Sequence, residues 1–518
     1  MSRVIEIMDT TLRDGQQMPG SCYTTQEKFE IAKFLLDRVG VDRIEVASAL
    51  TSEGERRSLQ TIMEWAEENG FSEKVEALGF VDNNKSVEWI SSTGCRVLNL
   101  LCKGSEAHCT IQLRQTVWEH IENIRNTVNI AVCRGMRVNV YLEDWSRGVA
   151  GDWHGYVQPL VRALSAMKID RIMLPDTLGV LYPAKVAGLI KRTKRSCFGK
   201  KLDFHAHNDY GLGTANTLAA VSSGAVNGVH VTVNGVGERT GNASLEQVAC
   251  GIHDFTRYRT AVNETMLRPV SRMVSQFSGR HIPANAPITG RDVFSDGCGV
   301  HSDGNAKGGI YWSMLTSERF GAKFVTALSS QSGKASLKKC LRDDLGITSL
   351  DDEQIKQLRQ RIVHLNDVGK RITLGDLLVL VSEICNEPLR IIVVLDENTV
   401  ESVSRMNKMS RTRATIMYHK ESYEIEGEGN GGFDAFMNAL RPWAEKMRLR
   451  VPELVSYQIN TPPGGKSDAL TEADITWTWP GGLGEFQTIG VSSDQVMAAI
   501  RSAVQALNVC NHNGCIPK

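Results

Sequence analysis

The chain has 518 residues, more than one ordinary domain holds, so two or three domains are expected. Its 42% apolar and 23% charged residues exclude a disordered chain. Lys plus Arg balances Asp plus Glu at 59 each, which argues against nucleic acid or an anionic membrane surface as the main partner.

The N-terminus runs straight into a strand at Val4–Met8, with no charged and apolar leader pattern ahead of it. No apolar run reaches the roughly 18 residues a membrane span needs. The cysteines are scattered without a CxxC pair, which fits reduced thiols and a cytoplasmic setting. Further candidate strands follow at Arg43–Ala47, Val75–Phe80, Val97–Leu101, Arg137–Leu142, Arg171–Pro175, Leu202–His207 and Val229–Thr232. Between them lie Thr25–Val39, Ser58–Asn69, Val117–Arg134, Tyr156–Met167, Pro183–Lys194 and Leu212–Ser223, whose apolar residues recur every three or four positions. Eight strand-then-helix units in about 260 residues predict a (β/α)8 TIM barrel over residues 1–265. An open doubly wound sheet is the alternative, because periodicity does not prove closure.

From about Met266 the pattern changes. Phe277 to Gly304 is rich in Gly, Pro, Asn and Asp and reads as a long connection. Helical periodicity returns from about Ser329 to Asn386, including a helix at Leu374–Cys385, so residues 266–388 are expected to be a mostly helical linker region. The last segment, residues 389–518, alternates strands (Thr412–His419, Glu421–Glu426, Leu454–Asn460, Asp474–Thr478, Glu485–Gly490) with helices (Gly432–Met447, Ser493–Leu507). Its β-β-α-β-β-β-α order predicts a small separate α/β domain. The barrel period is the only internal repeat the sequence shows.

Barrel enzymes carry reactive groups where strands end and βα loops begin. That rule collects Asp9-Thr10-Thr11-Leu12-Arg13-Asp14-Gly15 after the first strand, Glu45 at the second, Glu143 and Asp144 at the fifth, and Asp176-Thr177 at the sixth. His205-Ala206-His207-Asn208-Asp209 ends the seventh, and Asn234 to Asn242 follows the eighth. Residues i and i+2 of a strand share a face, so His205 and His207 can reach one ion. With Asp14 they make a two-histidine, one-carboxylate set suited to a divalent metal, and Asn242 can add an oxygen. Taken alone, the HxH step reads equally as two hydrogen-bonded histidines. Arg13 is either a surface ion-pair partner of little energetic weight or a fixed guanidinium for an oxyanion at the barrel mouth. Gly235, Gly237 and Gly241 lack the GxGxxG spacing and read as turn glycines.

Together, DTTLRDG at Asp9–Gly15, HAHND at His205–Asp209 and NGVGERTGNASLE at Asn234–Glu246 resemble the barrel metalloenzymes that include 2-isopropylmalate, citramalate and homocitrate synthases and HMG-CoA lyase. The last segment, with YEIEGEGNGGFDA at Tyr423–Ala435 and PPGGKSDA at Pro462–Ala469, resembles the regulatory domain of 2-isopropylmalate synthases, which points to the synthase branch. The resemblance implies a transferase that condenses acetyl-CoA with a 2-oxo acid and hydrolyses the CoA thioester. Asp14, His205, His207 and Asn242 would hold Zn²⁺, Mn²⁺ or Mg²⁺. Arg13 would stabilise the oxyanion, Thr177 the substrate carboxylate, and Glu143 would act at the acetyl methyl. His301, Asp303 and Tyr311, around GVHSDG in the linker region, would complete the acetyl-CoA site. One departure is Gln16, where the family usually has Glu, and an amide there can still hydrogen-bond.

Leu78, Leu101 and Tyr141 are expected to line the acceptor's side-chain pocket, and their stretches resemble those of bacterial (R)-citramalate synthases. Two leucines and a tyrosine ring leave little volume, which favours pyruvate over 2-oxoisovalerate, the 2-isopropylmalate synthase alternative. By resemblance, the glycines of the tail (Gly431, Gly432, Gly464, Gly465) would line a feedback site for leucine or isoleucine in a homodimer. A metal-dependent lyase or aldolase and a non-catalytic amino-acid sensor are the rival classes.

Overall fold

A computed structural model describes residues 3–296, 301, 304–305, 307–311, 313–322, 325–326, 333–367, 372–385, 393–404, 409–461, 469–480 and 485–511. The chain packs as two compact units, residues 1–293 with 319–321, and residues 294–318 with 322–518.

The first unit is a closed barrel of eight parallel strands in sequence order. They are β1 (Glu6–Asp9), β2 (Arg43–Ser48), β3 (Val75–Phe80), β4 (Val97–Lys103), β5 (Arg137–Glu143), β6 (Arg171–Asp176), β7 (Lys201–Ala206) and β8 (Gly228–Val231). Pairing of β8 back onto β1, with Glu6 opposite Gly228 and Asp9 opposite Val231, settles closure against the open sheet. The strands are short and buried on both faces, as helix-covered parallel strands must be. The surrounding helices start where side chains can satisfy free backbone N–H groups. Thr24 with Glu27 and Thr116 with Glu119 form capping boxes ahead of Thr25–Lys33 and Val117–Cys133. Pro183 opens Pro183–Ser196 at a position where its missing N–H costs nothing.

The N-terminal half of the barrel interior is filled by charge, not by the expected aliphatic layers. Arg43 pairs with Glu76 (3.0 Å) and Asp203 (2.6 Å), while Arg171 pairs with Asp203 (2.7 Å) and Glu6 (2.6 Å). Arg43, Glu76, Arg171 and Asp203 are all buried. Toward the opposite end a small apolar cluster of Met8, Leu78, Tyr141 and Met173 takes over, with Phe80 and Leu101 against it.

In the second unit three helices, Lys334–Leu345, Asp352–Asp367 and Leu374–Cys385, precede two antiparallel three-stranded sheets. One sheet is Val393–Val403, Ser410–Tyr418 and Glu421–Gly429, followed by the helix Gly432–Lys446. The other is Glu453–Asn460, Thr471–Thr478 and Glu485–Ser492, followed by Gln495–Asn511. The tail is therefore strand-strand-strand-helix twice over, which corrects the expectation that the barrel holds the only repeat. The overlooked strand, Val393–Val403, is largely exposed and breaks register between Asp396 and Glu401, so it lacks the alternation that marks a half-buried strand. The helices and both sheets share one hydrophobic cluster that includes Leu341, Leu358, Leu377, Phe436, Trp477 and Leu507. Among the described residues no helix is long and apolar enough to cross a membrane.

Candidate active site and metal centre

All the barrel motifs meet at the C-terminal ends of the strands. The loop after β1 folds tightly because the N–H groups of Arg13, Asp14 and Gly15 all donate to the Thr10 carbonyl (3.2, 2.9 and 3.0 Å). This turns Asp14 inward, while Thr11 Oγ1 accepts from Val233 N (2.9 Å) and ties the loop to the one after β8. That second loop needs its glycines. A Cβ on Gly241 (φ +85°) would sit 1.9 Å from the Gly235 carbonyl, and one on Gly237 (φ +154°) 2.4 Å from Asn242 Nδ2. The close passage lets Asn208 N reach Gly241 O (2.9 Å) and stitches the loops after β7 and β8 together.

Asp14, His205 and His207 are buried, and one ligand atom from each lies within 4.8 Å of the others. His205 Nε2 stands 3.3 Å and His207 Nε2 3.7 Å from Asp14 Oδ2. Ligands held at about 2.0–2.2 Å from one tetrahedral ion lie roughly 3.4 Å apart, so the spacing suits a divalent cation. Among the candidate ligand residues, two buried oxygens have no hydrogen-bond partner, Asp14 Oδ1 and Asn242 Oδ1. Asn242 spends its amide N–H on the Val236 carbonyl (3.1 Å), which fixes that end of the side chain and leaves its oxygen unengaged. Buried oxygens without donors are what a cation would satisfy. Burial works against the charge on Asp14, but Arg13 and the two imidazoles overcome it and hold the carboxyl well below the usual carboxylate range. Burial likewise pushes His205 down to about 4, keeping the ring neutral, the form that ligates metal. Arg239 spans the neighbouring loops, binding the Thr177 carbonyl (2.8 Å) and Asp209 (2.7 Å). It also lies 2.8 Å from His207 Nδ1, a contact that metal binding through Nε2 would have to loosen, since both groups would then donate.

Arg13 is not a surface ion pair: its side chain is 9% exposed. Nε donates to Glu45, Nη1 lies 3.1 Å from Asp14, and Nη2 approaches the Tyr141 hydroxyl at 3.5 Å. Glu45, fully buried, also accepts from Asn99 Nδ2 (2.7 Å) and Thr10 Oγ1 (3.3 Å). Burial raises its carboxyl pKa, with Arg13 opposing. Leu78, Leu101 and Tyr141, expected to line the acceptor pocket, converge in the apolar cluster beside this guanidinium, together with Met8, Met173 and Phe80, which the sequence did not single out.

Glu143, at the end of β5, is one-quarter exposed and pairs with Lys103 from the end of β4. His108 Nδ1 stands 3.9 Å from it. The sequence reading missed Lys103, although the strand-end rule that found Glu143 applies equally to the last residue of VLNLLCK. Thr177 accepts from Asp144 N through its hydroxyl (2.9 Å), leaving the hydroxyl proton to donate. Gln16 is half-buried in a single turn, Gly15–Gln17, directly after Asp14. His301 and Tyr311 lie in the second unit, where their rings meet tilted by 34° with centroids 4.3 Å apart and both side chains are exposed. Asp303 lies outside the described residues, as do Gly464 and Gly465. Gly431 is the N-cap of Gly432–Lys446, and a Cβ on Gly432 would meet Ser402 Oγ at 2.4 Å.

A closed β/α barrel with a buried carboxylate and two histidines at its C-terminal mouth is the framework of a metal-site barrel enzyme. The chain belongs to the HMGL-like family, which residues 4–274 match, and residues 371–510 match the LeuA allosteric (dimerisation) domain. It is similar to the (R)-citramalate synthase CimA of Methanocaldococcus jannaschii, with 34% identity over 478 residues, 91% of this chain and 93% of that protein. The 2-isopropylmalate synthase of Saccharolobus solfataricus is 36% identical over 378 residues, 72% of this chain and 94% of its own length. That of Sulfolobus acidocaldarius is 33% identical over 389 residues, 75% and 97% of the two chains.

Proposed function

We propose that this enzyme joins the acetyl group of acetyl-CoA to a 2-oxo acid, with pyruvate preferred and (R)-citramalate the product. The observation that carries the reading is the buried Asp14–His205–His207 set beside a fixed Arg13 and a small apolar pocket. A divalent ion on Asp14, His205 and His207, with Asn242 beside it, would supply Lewis-acid polarisation of the 2-oxo group and a template for the acceptor; Zn²⁺, Mn²⁺ and Mg²⁺ all suit such donors. Arg13 donates to the oxygen that gains charge as the carbon–carbon bond forms, and its three anchors keep it from reorganising during the step. Glu143 takes the proton from the acetyl methyl, with Lys103 holding the carboxylate in place. Thr177 donates its hydroxyl proton to the acceptor carboxylate. Water then cleaves the thioester, and departure of CoA makes the sequence irreversible. By family resemblance His301 and Tyr311, with Asp303, serve the acetyl-CoA moiety, so His301→Ala is expected to act on acetyl-CoA and not on acceptor preference.

Leu78, Leu101 and Tyr141 leave room for a methyl more readily than for an isopropyl group. The relatives bear both synthase names, so 2-oxoisovalerate, the 2-isopropylmalate synthase substrate, is the second reading. Residues 389–518 are proposed to bind leucine or isoleucine as feedback effector in a homodimer, supported by the match to an allosteric (dimerisation) domain. A chain ending at residue 388 is expected to retain turnover and lose the response to both amino acids; a truncated enzyme still inhibited by either refutes that assignment. The principal test follows CoA release with pyruvate, 2-oxoisovalerate and 2-oxoglutarate, with Mn²⁺ and then with a chelator. Chelator-sensitive turnover fastest with pyruvate supports the reading. Faster turnover with 2-oxoisovalerate overturns the pocket argument, and silence with all three overturns the synthase assignment.

A further inference from the structure

Below the Arg13 loop three rings stand edge to face. Tyr141 meets His230 at 5.4 Å and 83°, Tyr141 meets His205 at 6.2 Å and 88°, and the two imidazoles are 5.5 Å apart at 74°. His205 belongs to the metal set. His230, on β8 and buried, has no part in the chemistry proposed above, yet both of its nitrogens are engaged. Nδ1 lies 3.1 Å from the Tyr141 hydroxyl and Nε2 lies 3.3 Å from Asp203 Oδ2.

The proton positions along this chain follow from charge. Asp203 is clasped by Arg43 at 2.6 Å and by Arg171 at 2.7 Å, the setting of an ionised carboxylate. His230 shares that carboxylate with both guanidiniums, so the site calls for no further positive charge and the imidazole presents one N–H and one lone pair. An ionised carboxylate only accepts, so Nε2 carries the proton and Nδ1 is left to accept from the Tyr141 O–H. Glu45 Oε2 is a second acceptor at 3.4 Å, but it already takes Arg13 Nε and the Thr10 hydroxyl. With its proton directed at His230, the tyrosine oxygen turns a lone pair toward Arg13 Nη2. The rest of the Tyr141 ring touches the cluster of Met8, Leu78 and Met173, where contacts are non-directional and methionine adapts readily to a shifted neighbour. The hydroxyl is the ring's directional anchor.

We infer that Asp203 and His230 are a positioning pair that fixes the Tyr141 ring, and through it both the space open to the acceptor's side chain and the third anchor of Arg13. The inference rests on the synthase reading and deepens it: acceptor preference is set from beneath the pocket, by a residue pair whose reach to the substrate runs through Tyr141.

The test compares His230→Leu, His230→Asn, Tyr141→Phe and the double variant Tyr141→Phe/His230→Leu with the wild-type full-length chain. Asparagine places an amide oxygen near the position of Nδ1 and can still accept from Tyr141, whereas leucine cannot. Asp203 keeps Arg43 and Arg171 in every variant. The readouts are kcat and KM for pyruvate and 2-oxoisovalerate, KM for acetyl-CoA, bound Mn²⁺ and the thermal midpoint. His230→Leu and Tyr141→Phe are each expected to cut the preference for pyruvate over 2-oxoisovalerate by about tenfold, with the acetyl-CoA KM and metal content unchanged. The double variant should be no less selective than either single one, and His230→Asn should keep the wild-type preference. A His230→Leu enzyme that loses activity equally on both acids overturns the proposal, as do selectivity losses that multiply in the double variant. Should the leucine variant not fold, Tyr141→Phe decides, and retained selectivity there overturns it. A wild-type enzyme silent on every 2-oxo acid fails the synthase reading itself, a distinct outcome that takes this inference with it.

Discussion

Glu45→Gln is the substitution that most directly probes how Arg13 is held. The glutamate accepts from Arg13 Nε, Asn99 Nδ2 and Thr10 Oγ1, and it is fully buried. An amide of the same shape offers one acceptor oxygen and turns an NH₂ toward another donor. If the oxygen faces Arg13, the NH₂ confronts Asn99 Nδ2. Asn99 cannot simply flip, because its own oxygen takes Asn139 Nδ2 at 2.9 Å. Each hydrogen bond to a charged group is worth about 1.5–3 kcal/mol, so relief comes from movement of Arg13, which keeps Asp14 at 3.1 Å. A shift of about 1 Å in such a donor costs roughly 10²-fold in rate, while outright removal costs about 10²–10³-fold. The expected outcome is therefore a fall of about 10²-fold in kcat with metal content unchanged, since Glu45 touches none of the proposed ligands. CoA release measured with a thiol reagent, alongside elemental analysis of the purified variant, checks both halves. A kcat within threefold of wild type would refute the claim that Glu45 holds Arg13 in its working geometry. Loss of the metal would show that it acts through the ion instead.

Three further outcomes are expected. Asp14→Asn, which replaces the buried anion between the two imidazoles, should purify nearly free of divalent metal by elemental analysis while keeping the wild-type circular dichroism spectrum. Leu101→Ala, which would enlarge the proposed acceptor pocket, should shift preference toward 2-oxoisovalerate by about 10- to 200-fold; an unchanged ratio of kcat/KM values would remove this residue from the specificity determinants. Asp203→Asn should destabilise the barrel by about 3–5 kcal/mol near neutral pH, because Arg43 and Arg171 lose their shared counter-ion. Its native pKa is depressed, so the stabilisation is present above the unfolded value of about 3.9 and lost as pH falls toward the native one. The gap between wild type and variant in denaturant melts should therefore close below about pH 4, and a gap independent of pH contradicts the assignment.

Much of this arrangement was legible in the sequence because it is local. Eight apolar runs buried on both faces gave all eight barrel strands to within a few residues at either end. The His205-Ala206-His207 step placed two candidate ligands on one face by strand geometry alone. What escaped notice is long-range or weakly patterned. The helix Lys85–Ser91 is only seven residues long, too short to show periodicity, and its N-cap Asn84 is left-handed and makes no side-chain cap, the Ser86 N–H being taken by Asp82 from outside the usual N-cap spacing. Arg43 and Arg171 open their strands and read as ordinary flanking charges; only barrel closure turns them inward against Glu76 and Asp203. The Tyr141–His230 contact joins residues 89 positions apart, on strands that are not neighbours in the sheet. No spacing rule reaches that far.

The charged base of the barrel constrains how such an enzyme can be re-engineered or diverge. Arg43 is shared among Glu76, Asp203 and Glu6, Arg171 between Asp203 and Glu6, and Asp203 serves both arginines and His230, so no member can be exchanged singly without stranding a buried charge. Replacement there has to be concerted. The apolar residues at the mouth carry no such obligation, because Leu78 and Leu101 can change volume one at a time. Selection for a new acceptor is thereby channelled to one end of the barrel, while the other remains a fixed inheritance that the substrate pocket is free to vary above.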